Sequence, residues 1–156
     1  MKKASFAAQR GSAKGRLPAL QDWEQVMALV GHTILVVEDE PLIALAIAED
    51  FKAAGAQVHT AYNLCDGLRL ADHPDLSVAV VDFGLSDGKG SALCERLNER
   101  QVPFILHTGY THVHEACRSG IVVPKPAAPG QLVSVIERLL QGGSDAPSAE
   151  AAGNSI

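Results

Sequence analysis

The run Val78-Ala79-Val80-Val81 constrains this chain more than any other stretch. Consecutive apolar, mostly β-branched residues leave no polar face. A strand built from them is buried on both sides, as in the centre of a parallel sheet. The run stops at Asp82, after which Gly84, Gly88 and Gly90 loosen the backbone into a turn. In an open α/β sheet, ligands and chemistry gather just beyond the carboxyl ends of the strands. Asp82 stands at such an end, although an isolated aspartate there is more often a helix or turn cap.

The same grammar recurs along the chain. Thr33–Val37 reads as a buried strand running into Glu38-Asp39-Glu40, and Pro41 opens a helix that reaches Ala54 before Gly55. Gln57–Ala61 is a short strand, and Asn63 caps a helix carrying Leu64, Leu68 and Leu70. After Asp82, Ser91–Arg100 is helical with Leu93 and Leu97 inward, and Pro103–His107 is a strand followed by Thr108-Gly109-Tyr110. A short helix is expected around His112–Arg118, then a strand Ile121–Val123, the tripeptide Pro124-Lys125-Pro126, and a closing helix Leu132–Leu140. Strands alternating with helix-length segments predict a parallel sheet covered on both faces. With right-handed crossovers this is a flavodoxin-like α/β fold, (βα)5, strand order 2-1-3-4-5.

The ends of the chain read differently. Residues 1–21 hold Lys2, Lys3, Arg10, Lys14 and Arg16 and no acid, while the whole chain carries a net charge of −5. The expected division is a basic, disordered extension over 1–31, a folded domain over 32–141 and a disordered tail over 142–156. Within the extension, Leu20, Trp23, Val26, Met27 and Val30 suit a helix over 18–30, unless Met27 is the true start. The acidic body argues against nucleic-acid binding. No apolar run approaches the roughly 18 residues of a membrane span, and no secretory signal is readable. Cys65, Cys94 and Cys117 are expected as reduced thiols of a cytoplasmic protein, with no metal-binding spacing.

Strand ends in the proposed order converge on one crevice: Glu38 and Asp39, Asp82, Thr108, and Lys125. Three carboxylates at close quarters repel one another unless a cation intervenes, and Mg²⁺ suits a site with few protein ligands and several waters. Acids, a hydroxyl and a lysine around one cleft fit phosphoryl transfer, with a carboxylate able to serve as nucleophile.

Val36-Val37-Glu38-Asp39-Glu40-Pro41, Val80-Val81-Asp82, His107-Thr108-Gly109-Tyr110 and Pro124-Lys125-Pro126 together resemble the signature set of two-component response-regulator receiver domains, over residues 32–141. The resemblance implies Asp82 as phosphoacceptor and Thr108 and Lys125 as phosphoryl ligands. It implies Mg²⁺ held by Asp39, Asp82 and the backbone carbonyl of Gly84, with Glu38 acting through water, and a cis peptide before Pro126. The stretch Pro103–Tyr110 is similar in part to the single-domain FAT GUY receivers. One position departs: receivers commonly carry an aromatic residue three before the lysine, and here it is Val122. Tyr110 is the nearest substitute, and the segment Thr108–Arg118 is expected to carry the response. His107, His112 and His114 read as strand-end and surface histidines.

These features imply a stand-alone, non-enzymatic phosphoacceptor. It would be served by a sensor histidine kinase or histidine phosphotransferase and read by an unknown downstream protein, as a monomer or weak homodimer. A binding module on the same fold, with phosphorylation incidental, is the alternative. A phosphatase of the haloacid-dehalogenase type wants an acid where Gly84 stands.

Overall fold

The computed structural model describes residues 19–110 and 112–142. The readings of residues 1–18 and of 143–156 lie outside the described residues. A short helix, α1 (Leu20–Val26), precedes β1 (Thr33–Val37), α2 (Pro41–Ala53), β2 (Gln57–Ala61), α3 (Leu64–Ala71) and β3 (Leu76–Val81). A two-stranded hairpin follows, β4 (Gly84–Leu85) with β5 (Gly88–Lys89), then α4 (Ser91–Glu99) and β6 (Phe104–Thr108). A single 3-10 turn at Glu115–Cys117 leads to β7 (Ile121–Pro124) and α5 (Gln131–Leu140).

The five long strands form one parallel sheet in the order β2-β1-β3-β6-β7. With the hairpin set aside this is the expected order 2-1-3-4-5. Why both faces are buried follows from alternation along each strand. Ile34, Val36, Val78, Val80 and Ile105 face α2 and α5, where they meet Ile47, Phe51, Val135 and Ile136. Leu35, Val37, Ala79, Val81, Phe104 and Leu106 face the other way, against Leu93 and Leu97 of α4 and Ala71 of α3. β1, β3 and β6 therefore have no solvent side, which is what their unbroken apolar runs require.

Local signals explain the helix ends. Pro41 occupies the first turn of α2, and the Asn63 side chain accepts from the Asp66 N–H at 2.8 Å to cap α3. Gly55 leaves α2 at φ +92°, a left-handed conformation that would strain any residue with a side chain. That turn meets the N-terminal extension: the Leu29 N–H donates to the Ala54 carbonyl at 2.9 Å, and Leu29 is buried in the α2/α5 core.

Two helices are shorter than expected. The helix of the extension covers Leu20–Val26 rather than 18–30. Leu20 is 89% exposed and Trp23 44%, so little packing holds the helix beyond those turns. The helix around His112–Arg118 is only the 3-10 turn Glu115–Cys117, capped by His114 Nδ1, which accepts from the Ala116 N–H. Histidine and valine are poor helix formers and supply no longer run.

Candidate functional site

Three backbone bonds carry the sheet ladder one residue past its strands and so set the side chains of the crevice. The Glu38 N–H donates to the Ala61 carbonyl, the Asp82 N–H to Val37, and the Lys125 N–H to Thr108, at 3.0, 2.9 and 3.0 Å. Glu38, Asp82 and Thr108 are consequently buried at the carboxyl ends of β1, β3 and β6, and Asp39 beside them is half-buried. The loop after Asp82 is tied down from the side. The Asp87 carboxylate accepts from the N–H groups of Leu64 and Cys65 at the start of α3, at 2.7 and 3.3 Å. These bonds to the ionised form hold its pKa below the ordinary carboxylate value, the Leu64 bond foremost.

Lys125 is the centre of the charge arrangement. Its ammonium donates to Glu38 Oε2 at 2.8 Å and to Asp82 Oδ2 at 3.0 Å. The second oxygen of each acid is satisfied by backbone: Glu38 Oε1 accepts from the Glu40 N–H at 3.2 Å, and Asp82 Oδ1 from the Gly84 N–H at 3.1 Å. Burial pushes the Glu38 pKa up, and the bonds from Lys125 and Glu40 only partly offset it. Burial also presses on the Lys125 ammonium, but its bonds to Glu38 and Asp82 outweigh that and raise its pKa.

Ligand atoms of Glu38, Asp39 and Asp82 all lie within 4.8 Å of one another. One ammonium against three carboxylates leaves two negative charges uncompensated, and the set fits a hard divalent cation.

A family model described as "Response regulator receiver domain" matches residues 34–137. The chain belongs to the response regulator receiver domain family. Among relatives, the receiver is 29% identical over 133 residues to the sensor protein TorS of Escherichia coli (strain K12), covering 80% of this chain and 14% of that protein. It thus spans only a small part of that relative's length. It is also similar to the crystal structure of a CheY-like receiver domain protein from Methanospirillum hungatei JF-1. That match has a TM-score of 0.65 and 25% identity, over 72% of this chain and 95% of that one. The response regulator protein TrrA from Thermotoga maritima, solved in complex with Mg(2+)-BeF, has a TM-score of 0.61 and 19% identity over 70% of this chain and 98% of its own. At that identity the likeness is one of fold.

Within this receiver, the residues singled out from sequence fall in two groups. Glu38, Asp39, Asp82 and Lys125 come together as described. Gly84 follows in the same loop, touching Asp82 through its N–H. Thr108 is buried at the end of β6, but its hydroxyl accepts from the Tyr110 N–H at 3.2 Å rather than bonding an acid of the crevice. Tyr110 is 60% exposed and crosses the loop after Asp82. Its ring meets Phe83 edge-on at 6.1 Å, and a Cβ on Gly84 would come within 2.5 Å of it. Val122 lies on the edge strand β7 opposite Leu106, partly exposed. The peptide bond between Lys125 and Pro126 is cis.

Three features were not anticipated. Cys94 and Cys117 form a disulfide between α4 and the 3-10 turn, correcting the expectation of reduced thiols. Both sulfurs belong to the core under α4, where Leu93 and Leu97 already marked the inner face, and Cys65 alone remains free and exposed. Glu38 bonds Lys125 directly, a pairing across the sheet that no local spacing announces. His107 is buried rather than on the surface, and neither ring nitrogen has a protein partner.

Proposed function

We propose that this receiver is a stand-alone phosphoacceptor of a two-component phosphorelay, taking a phosphoryl group onto Asp82 from a phosphohistidine on a histidine kinase or phosphotransferase. The observation that carries the reading is the pair of hydrogen bonds that the Lys125 ammonium donates to Glu38 and Asp82, at 2.8 and 3.0 Å. It presents one buried carboxylate at the end of the central strand and positions a cation beside the oxygens that would arrive. A carboxylate oxygen of Asp82 forms the new P–O bond while the P–N bond of the donor breaks and its electron pair returns to the imidazole. In this reading Lys125 turns from a carboxylate to a phosphoryl oxygen, and Thr108 offers its hydroxyl to another.

Asp39 and Asp82, with the Gly84 carbonyl, would hold Mg²⁺, and Glu38 would reach it through water. When bound, that ion supplies charge neutralisation for the phosphoryl oxygens. The response is proposed to run through Gly109–His114, the stretch between Thr108 and the anchored turn, with Tyr110 in place of an aromatic at Val122. The signal leaves by protein–protein contact or onward transfer. Among the described residues no helix is long and apolar enough to cross a membrane.

Incubation with acetyl phosphate and Mg²⁺ should add one phosphoryl mass to the intact protein. Asp82→Asn should abolish the gain with the fold retained. An undiminished gain in Asp82→Asn would refute the assignment.

A further inference from the structure

A groove of about 560 Å³ runs between α1, α2 and α5, away from the crevice at Asp82. Val26, Ala53 and Val133 give it apolar lining. Asp22, Asp50 and Glu137 add one carboxylate each from α1, α2 and α5. Among the described residues that line it there is no Lys, Arg or His. None of the three carboxylates forms an ion pair with a cation among the described residues. A cleft lined by one sign of charge over an apolar surface selects an occupant that carries the other sign and some apolar area of its own.

The chain itself leads such a segment to the spot. The Asp22 carboxylate accepts from the Ala19 N–H at 2.8 Å, so the residues before Ala19 set out from the rim of the groove. Those residues are Lys14-Gly15-Arg16-Leu17-Pro18, two cations followed by two apolar residues. Residues 1–21 contain no acid, whereas the whole chain carries a net charge of −5. An extended chain covers roughly 3.3–3.6 Å per residue, which gives Arg16 a reach of about 11 Å from Ala19 and Lys14 about 18 Å.

We propose that Lys14–Pro18 docks in this groove of its own chain, with Lys14 and Arg16 against Asp50 and Glu137 and with Leu17 and Pro18 over the apolar lining. The tether at the rim favours this segment over a free cationic peptide or a second copy, because the contact is intramolecular and independent of protein concentration. The extension then competes with any external cationic segment for the face between α2 and α5. Pairs so near the surface are individually weak and are screened by salt, so the docked state depends on ionic strength.

The test is carbodiimide coupling of the full chain at low ionic strength, which joins an ammonium to a carboxylate as an amide, with loss of one water, where the two meet. An equal mixture of ¹⁵N-labelled and unlabelled chains is used, and the linked peptides are mapped by mass. The expected product joins Lys14 to Asp50 or Glu137 within a single chain. Arg16→Gln leaves both coupling partners in place but removes one cation, and should lower the yield about threefold, the size of one exposed ion pair. Raising the salt from about 0.02 M to about 0.5 M should lower it as well. The amide shifts of Ala53 and Ser134 give a second reading. Lys14→Gln with Arg16→Gln should move them, while unmoved amides of Val78–Val81 report an intact fold. Links from Lys14 spread evenly over Glu49, Glu95 and Glu99 would overturn the proposal, and links of mixed isotope mass would assign the groove to a second copy instead. A yield unchanged in Arg16→Gln or at high salt, or unmoved Ala53 and Ser134 amides, would overturn it equally.

Discussion

The crevice at the strand ends and the segment that follows Thr108 border each other, yet they are held by different physics. In the crevice, the strand ladders of β1, β3, β6 and β7 place the backbone and one ammonium organises the acids around it. Gly109, Tyr110 and residues 112–120 join no ladder. They are secured at the far end by the Cys94–Cys117 disulfide and by Asn98, whose side chain donates to the Ala116 carbonyl at 2.7 Å and accepts from the Ser119 hydroxyl at 2.6 Å. One region is positioned by the sheet and by charge, the other by cross-links to α4. Perturbations of charge should therefore act on the first, and perturbations of covalent connectivity on the second.

The largest separation should come from Lys125→Met. It leaves Glu38 and Asp82 buried and facing one another without their cation, which should cost about 3 kcal/mol of unfolding free energy at neutral pH. Glu38 already has a raised pKa in the folded protein. A raised folded pKa means stability is recovered as pH falls through it, so the deficit should shrink on acidification. Urea unfolding of the variant and its parent at two pH values checks both statements. Equal stability at neutral pH would show that charge pairing does not hold the crevice together.

A comparable effect with a different signature is expected from Cys94→Ala with Cys117→Ala. Removing a cross-link that spans 23 residues lowers stability by about 3 kcal/mol in the chain-entropy account. Unlike the lysine variant, it should speed amide exchange around Ala116 and Ser119 while leaving exchange at Asp82 and Lys125 unchanged. Uniform acceleration would erase the distinction between the two regions.

The smallest expected effect concerns pH. Burial, then repulsion by Lys125, places the His107 pKa below the ordinary histidine value, with Asp82 opposing. A depressed folded pKa contributes stability that is present above the unfolded value near 6.5 and lost as pH falls through the folded value. Glu38 acts with the opposite sign, so the informative quantity is the difference between the parent and His107→Leu. Stability of the parent should fall relative to the variant as the pH is lowered below about 6.5. Parallel curves would mean that the imidazole does not titrate differently on folding.

The contrast also explains what the sequence could reveal. Strand order and the two buried faces were legible because unbroken apolar runs such as Val78–Val81 have one stable setting, a sheet covered on both sides. Glu38, Asp39, Asp82 and Lys125 were legible because polar residues that terminate such runs converge at one edge of a parallel sheet. Cys94 with Cys117, and Asn98 with Ser119, were not. Each pair joins an ordinary helix position to an irregular segment, and neither partner carries a local signal. His107 was misread because a strand-end histidine looks the same whether the helices above it leave room for water or close over it.

Leu29 has a consequence for where this domain begins. The family match starts at residue 34, but Leu29 is fully buried among Phe51, Ile136 and their neighbours, with its amide bonded to the end of α2. A truncation placed at the family boundary would remove a whole aliphatic side chain from that interior, and the loss of a buried leucine costs about 2–5 kcal/mol. Cutting instead just before Met27 would discard Leu20 and Trp23, both exposed, and spare the interior. Residues outside the span of the family match are thus part of the hydrophobic unit, so a minimal folding fragment of this receiver includes Leu29.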